Sequence, residues 1–197
     1  MSREITMKND FEDDWPKIKA IDGWLSQSEA NALYDLAGKC KTYIVEIGAY
    51  KGRSTTCLGL GSRNSPYAPK IISIDPFTGS KEHRVDGVPI DTWNEYRDNV
   101  EANGLFDVVN PMQMTSKEAR DKFHSKIDLL FIDGSHEYED VKYDFLAWRK
   151  LVHRGGHIAI HDYNWSGPNR VVREFVSPRE YIIPKKAVNS LLVLKVR

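Results

Sequence analysis

The stretch Ile44-Val45-Glu46-Ile47-Gly48-Ala49-Tyr50-Lys51-Gly52-Arg53-Ser54-Thr55 constrains this chain more than any other. It begins as a short apolar run, as a strand buried in a parallel sheet does. It then enters a glycine turn and reaches hydroxyl residues suited to opening a helix. A second apolar run, Lys70–Ile74, follows and ends in Asp75. Strand, glycine turn, helix and a second strand closed by a carboxylate make a nucleoside-binding unit. Glycines let the backbone come close to a ligand, and Asp75 can accept hydrogen bonds from two ribose hydroxyls.

The rest of the chain alternates in the same way. Ser26 with Glu29 is a capping box, and Ala30, Leu33, Tyr34 and Ala37 recur at helical spacing up to Gly38. Strand Tyr43–Ile47 leads to a helix from Ser54 or Thr55 to about Gly61. After strand Lys70–Ile74 comes a long loop, Pro76–Pro89, of the kind that serves as a lid or binding loop. Then follow a helix Thr92–Ala102 capped by Asp91, a strand Phe106–Asn110, a helix Ser116–His124 and a strand Ile127–Ile132. A helix Glu139–Val152 turns at Gly155-Gly156 into strand His157–Ile160. A helix Gly167–Val176 and two terminal strands, Tyr181–Ile183 and Leu191–Val196, complete the chain. This order predicts an α/β fold with a doubly wound, mostly parallel seven-stranded sheet, helices on both faces and an antiparallel last strand. Residues 1–22 read as a loose lead-in able to act as a lid, and 23–197 as one domain.

With 28 basic and 28 acidic residues in 197, the formal net charge is zero. No basic footprint for nucleic acid is expected. No apolar run approaches the roughly 20 residues of a membrane helix, and the polar N-terminus lacks a signal-peptide core. Cys40 and Cys57 have no metal-ligand spacing. A reduced, cytoplasmic protein acting on a small molecule is the expectation. The sequence does not decide between a monomer and a homo-oligomer.

In such sheets ligands sit beyond the carboxyl ends of the strands. Glu46, Asp75, Asp133 and the pair His161-Asp162 all fall at those ends. The Gly48–Gly52 spacing departs from the dinucleotide pattern, because Ala49 and Tyr50 stand where that pattern would continue. Glu46 would repel a diphosphate, and a cofactor bearing an ammonium group suits it better. The run Asp133-Gly134-Ser135-His136 follows an apolar strand and puts a histidine within reach of the same cleft, where it can take a proton from a hydroxyl. Asp133 and Asp162 end neighbouring strands, so their carboxylates can converge. A divalent cation such as Mg²⁺, with His161 as a third ligand, would remove their repulsion. Trp93, Tyr96 and Trp148 read as core residues on helix faces. Trp15 and Trp24 read as packing partners of the first helix or as walls of a cleft.

Taken together, these residues resemble the class I S-adenosylmethionine-dependent methyltransferases. Val45–Thr55 is similar to the first motif of that family and Ile74-Asp75 to its second. Ile132–Tyr138, with Asp144, Gly155-Gly156 and His161-Asp162-Tyr163, resembles a branch of small bacterial O-methyltransferases related to macrocin-type sugar O-methyltransferases. The resemblance implies that Glu46 and Gly48, within the turn Ala49, Tyr50, Gly52, Ser54 and Thr55, hold the methionine end of S-adenosylmethionine. It places the ribose at Asp75-Pro76 and the adenine near Thr115 and Ser116. It makes Asp133, His161 and Asp162 the metal set, Asp133 a shared catalytic and cofactor residue, and His136 the general base. His161 departs from relatives that carry a second acid there. Thr78–Pro89 and the N-terminal segment would close over the acceptor. Two alternatives stay open at this point: a non-catalytic cofactor-binding protein on the same fold, and a nicotinamide-dependent oxidoreductase.

Overall fold

In the computed structural model the described residues are 10–80 and 88–197. Two helices come first, α1 Phe11–Ala20 and α2 Gln27–Ala37. The order then runs β1 Tyr43–Ile47, α3 Arg53–Arg63, β2 Lys70–Asp75, α4 Trp93–Ala102, β3 Val109–Gln113, α5 Ser116–Arg120, β4 Ile127–Ile132, α6 Tyr138–Trp148, β5 Val152–Ile160, α7 Ser166–Phe175, β6 Tyr181–Ile182 and β7 Leu192–Val196. The strands form one seven-stranded sheet in the order β3-β2-β1-β4-β5-β7-β6. β1 to β5 are parallel, and β7 runs antiparallel to both β5 and β6. Among the described residues no helix is long and apolar enough to cross a membrane.

Strand alternation divides the core into two layers. Ile44, Ile71, Leu129, Phe131 and Ala159 face α1 to α4. Val45, Ile47, Ile72, Ile74, Leu130, Ile132, Ile158 and Ile160 face α5 to α7. Successive side chains of a strand point to opposite faces, so Asp133 and His161 continue the first set and turn toward the α1–α4 side.

Several expected boundaries move, each for a physical reason. The lead-in contains α1, which the pattern did not show. Phe11 and Ile18 are buried, and the buried Asp14 accepts a hydrogen bond from the Tyr34 hydroxyl at 2.8 Å. The strand expected at Phe106–Asn110 starts at Val109, because residues 105–108 turn, with Val108 and Val109 donating to the Leu105 carbonyl. Pro111 is tolerated there because β3 is an edge strand. The helix expected at Ser116–His124 stops at Arg120, and the one expected at Glu139–Val152 stops at Trp148 in a 3₁₀ turn, Arg149–Leu151. Gly155-Gly156 lies inside β5 instead of preceding it. A β-carbon on Gly156 would stand 3.0 Å from the Asp128 carbonyl oxygen, and the β4–β5 register shifts beside it. The central part of the loop expected as a lid, residues 81–87 of Thr78–Pro89, lies outside the described residues.

Tyr96 and Trp148 are fully buried, as expected of helix-face core residues. Trp93 packs partly against the same layer. Trp15 lies partly buried in the α1–α2 layer, whereas Trp24 is 64% exposed and stacks against Tyr50 at 5.1 Å between ring centroids.

Candidate active site

The turn after β1 is shaped by left-handed backbone at Gly48 (φ +88°), Tyr50 (φ +49°) and Gly52 (φ +88°). Gly48 faces protein. A β-carbon there would lie 2.1 Å from the Asp133 carbonyl oxygen, so this glycine lets the ends of β1 and β4 close together. The ladder continues past both strands, with the Asp133 amide donating to the Ile47 carbonyl at 2.8 Å. Gly52 packs over the ring of Tyr96 and caps α3.

Asp75 fastens this turn. Its Oδ2 accepts the amides of Ala49 (2.7 Å) and Tyr50 (2.9 Å), and its Oδ1 accepts the amide of Phe77 (2.5 Å). A carboxylate offers about four acceptor sites. The protein fills three, leaving one on Oδ1. The neighbouring Pro76 is exposed.

Glu46 lies beneath the turn and is fully buried. Its Oε2 accepts hydrogen bonds from the Thr55 hydroxyl (2.5 Å) and the Ser73 hydroxyl (2.7 Å). Burial pushes its carboxyl up to about 7, against the pull of the Ser54, Thr55 and Ser73 hydroxyls. Ser54 and Thr55 therefore serve Glu46, and Glu46 supports the turn from behind. A similar commitment appears after β3. Thr115 forms a capping box with Glu118, and the Ser116 hydroxyl donates to Asp144. Burial pushes the Asp144 carboxyl up to about 7, with Ser116 opposing the shift.

The second half of the site gathers at the ends of β4 and β5. His161 is 4% exposed. Its Nδ1 lies 2.9 Å from Asp133 Oδ1 and 3.2 Å from Asp162 Oδ2. Neither contact is an aligned hydrogen bond. One ligand atom from each of the three residues falls within 4.8 Å of the others. This is a mixed nitrogen and oxygen donor set arranged about a common point, and it fits a small divalent cation. On the other side of the ring, Nε2 faces Glu29 Oε2 at 3.6 Å and the Ser190 hydroxyl at 3.4 Å. Burial works against a charge on His161, but Asp133, Asp162 and Glu29 push its pKa up to about 12. Burial likewise opposes ionisation of Asp162, yet His136 and His161 hold its carboxyl below the usual carboxylate range.

His136 approaches from the β4–α6 loop. Its Nε2 stands 3.2 Å from Asp162 Oδ2, and its ring stacks on Trp165 at 4.4 Å. Two backbone features hold this arrangement. Asp162 adopts φ +47°, which turns the chain so that the Trp165 amide donates to the Asp162 carbonyl at 2.8 Å. At the start of α7, a β-carbon on Gly167 would stand 2.0 Å from the His136 carbonyl oxygen. Gly134 is under no such constraint; its β-carbon would meet ordinary contacts only.

The structure thus brings Asp133, His136, His161 and Asp162 together and joins them to the Gly48 turn through Gly48 and Asp133. Sequence reading missed Glu29 and Ser190 as members of this cluster. Glu29 announced itself only as a capping residue, and Ser190 only as part of a turn. Trp165 carried no signal at all.

A glycine turn over a buried acid, a carboxylate at the end of the second strand and a 3-2-1-4-5-7-6 sheet define a class I methyltransferase fold. Residues 45–163 match the methyltransferase domain family, and the chain belongs to that family. The nicotinamide alternative falls with this assignment. Protein R132 of Acanthamoeba polyphaga mimivirus, which is uncharacterised, is 30% identical over 128 residues, covering 62% of this chain and 53% of R132. The chain therefore spans about half the length of the curated relative it matches. Among solved structures, the O-methyltransferase NovP superposes with a TM-score of 0.74 at 14% identity, covering 88% of this chain and 83% of NovP. The TDP-rhamnose 3′-O-methyltransferase CalS11 gives 0.64 at 18% identity, covering 98% of this chain and 88% of CalS11. At such identities these two show the shared fold.

Proposed function

We propose that this protein methylates a hydroxyl of a small acceptor, of the sugar or natural-product kind, using S-adenosylmethionine. The observation that carries the reading is the convergence of Asp133, His161, Asp162 and His136 beside the glycine turn. The structural similarity to NovP and CalS11, both O-methyltransferases, agrees with it.

The cofactor supplies an electrophilic methyl group on a sulfonium. Asp75 Oδ1 would accept a ribose hydroxyl, and the turn from Gly48 to Gly52, held by Asp75 in front and Glu46 behind, would receive the methionine end. The short loop at Thr115 and Ser116 would border the adenine through its backbone, since both side chains are already engaged. Asp133, His161 and Asp162 would hold a divalent cation, whose charge favours the ionised form of a nearby hydroxyl. His136 would accept the hydroxyl proton, and Asp162, 3.2 Å from its Nε2, would stabilise the resulting imidazolium. Trp165 flanks the His136 ring on its open side. The bound cofactor would supply its methyl group to the acceptor oxygen and leave as S-adenosylhomocysteine, with the hydroxyl proton held on His136.

Calorimetric titration with S-adenosylmethionine, with and without Mg²⁺, followed by assay of S-adenosylhomocysteine release over a panel of hydroxylated acceptors, tests this. Micromolar cofactor binding and release dependent on acceptor are expected. No binding at millimolar cofactor would overturn the proposal. Binding without turnover on any acceptor would favour the non-catalytic alternative.

A further inference from the structure

We propose that Glu29, on a helix far from the methyltransferase motifs in sequence, is a positioning residue for the cation pocket, fixing the His161 ring from behind so that Nδ1 is presented to Asp133 and Asp162. The proposal rests on the reading that those three residues hold a divalent cation.

The geometry is specific. A ring nitrogen that ligates a cation offers a lone pair, so the ring proton must sit on the other nitrogen and find an acceptor there. Nδ1 is the atom between the two aspartates. The groups facing Nε2 are Glu29 Oε2 at 3.6 Å and the Ser190 oxygen at 3.4 Å. The Ser190 hydroxyl spends its own proton on Glu29 Oε1 at 2.8 Å, so its oxygen can accept from the ring. Glu29 is itself held firmly. Its Oε1 also accepts the Ser190 amide at 2.9 Å, while its Oε2 accepts the Ser26 amide at 3.0 Å and the Ser26 hydroxyl at 2.5 Å. The carboxylate is only 3% exposed, a placement that capping a helix does not require. One acid thus ties the start of α2, the turn before β7 and the back of His161 into a single unit.

Glutamine serves in a capping box as glutamate does. E29Q therefore keeps the cap but removes the charge facing Nε2, whereas E29A removes both. The test is calorimetric titration of the full chain with Mn²⁺ for wild type, E29Q, E29A and D133N, with thermal melting as a check on folding. Long-range ¹H–¹⁵N spectra of the Mg²⁺-loaded protein report which His161 nitrogen carries the proton. The expected result is Mn²⁺ affinity weakened about 10- to 100-fold in E29Q, with a cooperative melt retained at a lower midpoint, since the glutamine nitrogen must face the amide of Ser26 or Ser190. At equal, sub-saturating Mg²⁺ the Nε2–H form should be present in wild type and depleted in E29Q in proportion to the cation lost. If E29Q binds Mn²⁺ within twofold of wild type while D133N loses it, the cation reading stands and the role of Glu29 is overturned. If wild type does not bind Mn²⁺, both fall together.

Discussion

The α-carbon of Gly48 sits against the carbonyl oxygen of Asp133, so closely that a β-carbon would be 2.1 Å from it. This contact welds the glycine turn after β1 to the β4 end that carries the polar cluster. The backbone at Gly48 also has φ +88°, where an L side chain is strained. Strain of about 1–3 kcal/mol and overpacking of about 1–3 kcal/mol should add for Gly48→Ala. Urea denaturation is expected to show a loss of about 2–5 kcal/mol, with cofactor binding lost as well. A variant as stable as wild type would contradict the close approach.

Glu46 predicts a pH dependence of stability. Its folded pKa is raised to about 7, so between about 4.3 and 7 the folded state binds more protons than the unfolded state. Stability then falls as pH rises through that window. Glu46→Gln keeps an oxygen for Thr55 and Ser73 and removes the ionisation. The difference in unfolding free energy between pH 5 and pH 8 should shrink by roughly 1–3 kcal/mol in the variant. Asp144, raised to about 7 by burial, contributes with the same sign, and the residual slope in Glu46→Gln should fall further in Glu46→Gln/Asp144→Asn.

Asp75 organises the turn through three backbone amides. Asp75→Asn removes the charge and one oxygen, leaving an amide nitrogen against a backbone donor. Hydrogen bonds to charged groups are worth about 1.5–3 kcal/mol, so S-adenosylmethionine affinity should drop about 10- to 100-fold by calorimetry. Unchanged affinity would remove Asp75 from the cofactor site.

Removal of metal is expected to separate binding from turnover. Prolonged dialysis against EDTA should suppress S-adenosylhomocysteine release, and Mg²⁺ or Mn²⁺ should restore it in wild type but not in Asp162→Asn. Activity untouched by EDTA would assign the Asp133–His161–Asp162 cluster to the cationic imidazole alone.

His136 and Trp165 should differ in what they affect. His136→Ala removes the proton acceptor and is expected to lower kcat by about 10²–10⁴. Trp165→Ala removes a half-exposed indole from the mouth of the site. Loss of one ring contact, about 0.5–1.5 kcal/mol, should raise acceptor KM about 2- to 10-fold while leaving the KM for cofactor alone. Equal effects of both variants on kcat would argue against this division of labour.

Much of the fold was legible because hydrophobic period and turn chemistry are local signals. The capping box at Ser26 and Glu29, the five residues of β1 and the carboxylate closing β2 lie where the pattern put them. Errors fell where local pattern and tertiary context diverge. α1 is mostly polar, and its helicity depends on docking Phe11 and Ile18 against the first core layer. Gly155-Gly156 looks like a turn in one dimension, yet β4 pairs with Val152 before it and His157 after it and keeps it inside β5. In the site, the glycines and the acids were legible as types, whereas their duties were not. Gly48 and Glu46 serve the protein's own backbone and hydroxyls.

The sequence alone determined the alternation of strands and helices, the glycine turn and the set of acids and histidines at the strand ends, because each depends on neighbours along the chain. Only the tertiary structure decided that Glu29 of α2 stands behind His161 of β5, that Ser190 joins them, and that Trp165 folds back over His136. Those contacts join residues 29 to 161 positions apart in the chain, and they arise from which sheet face a side chain of period two takes and which helix covers it. That pairing of face with helix is set by packing of the whole sheet, and no local stretch encodes it.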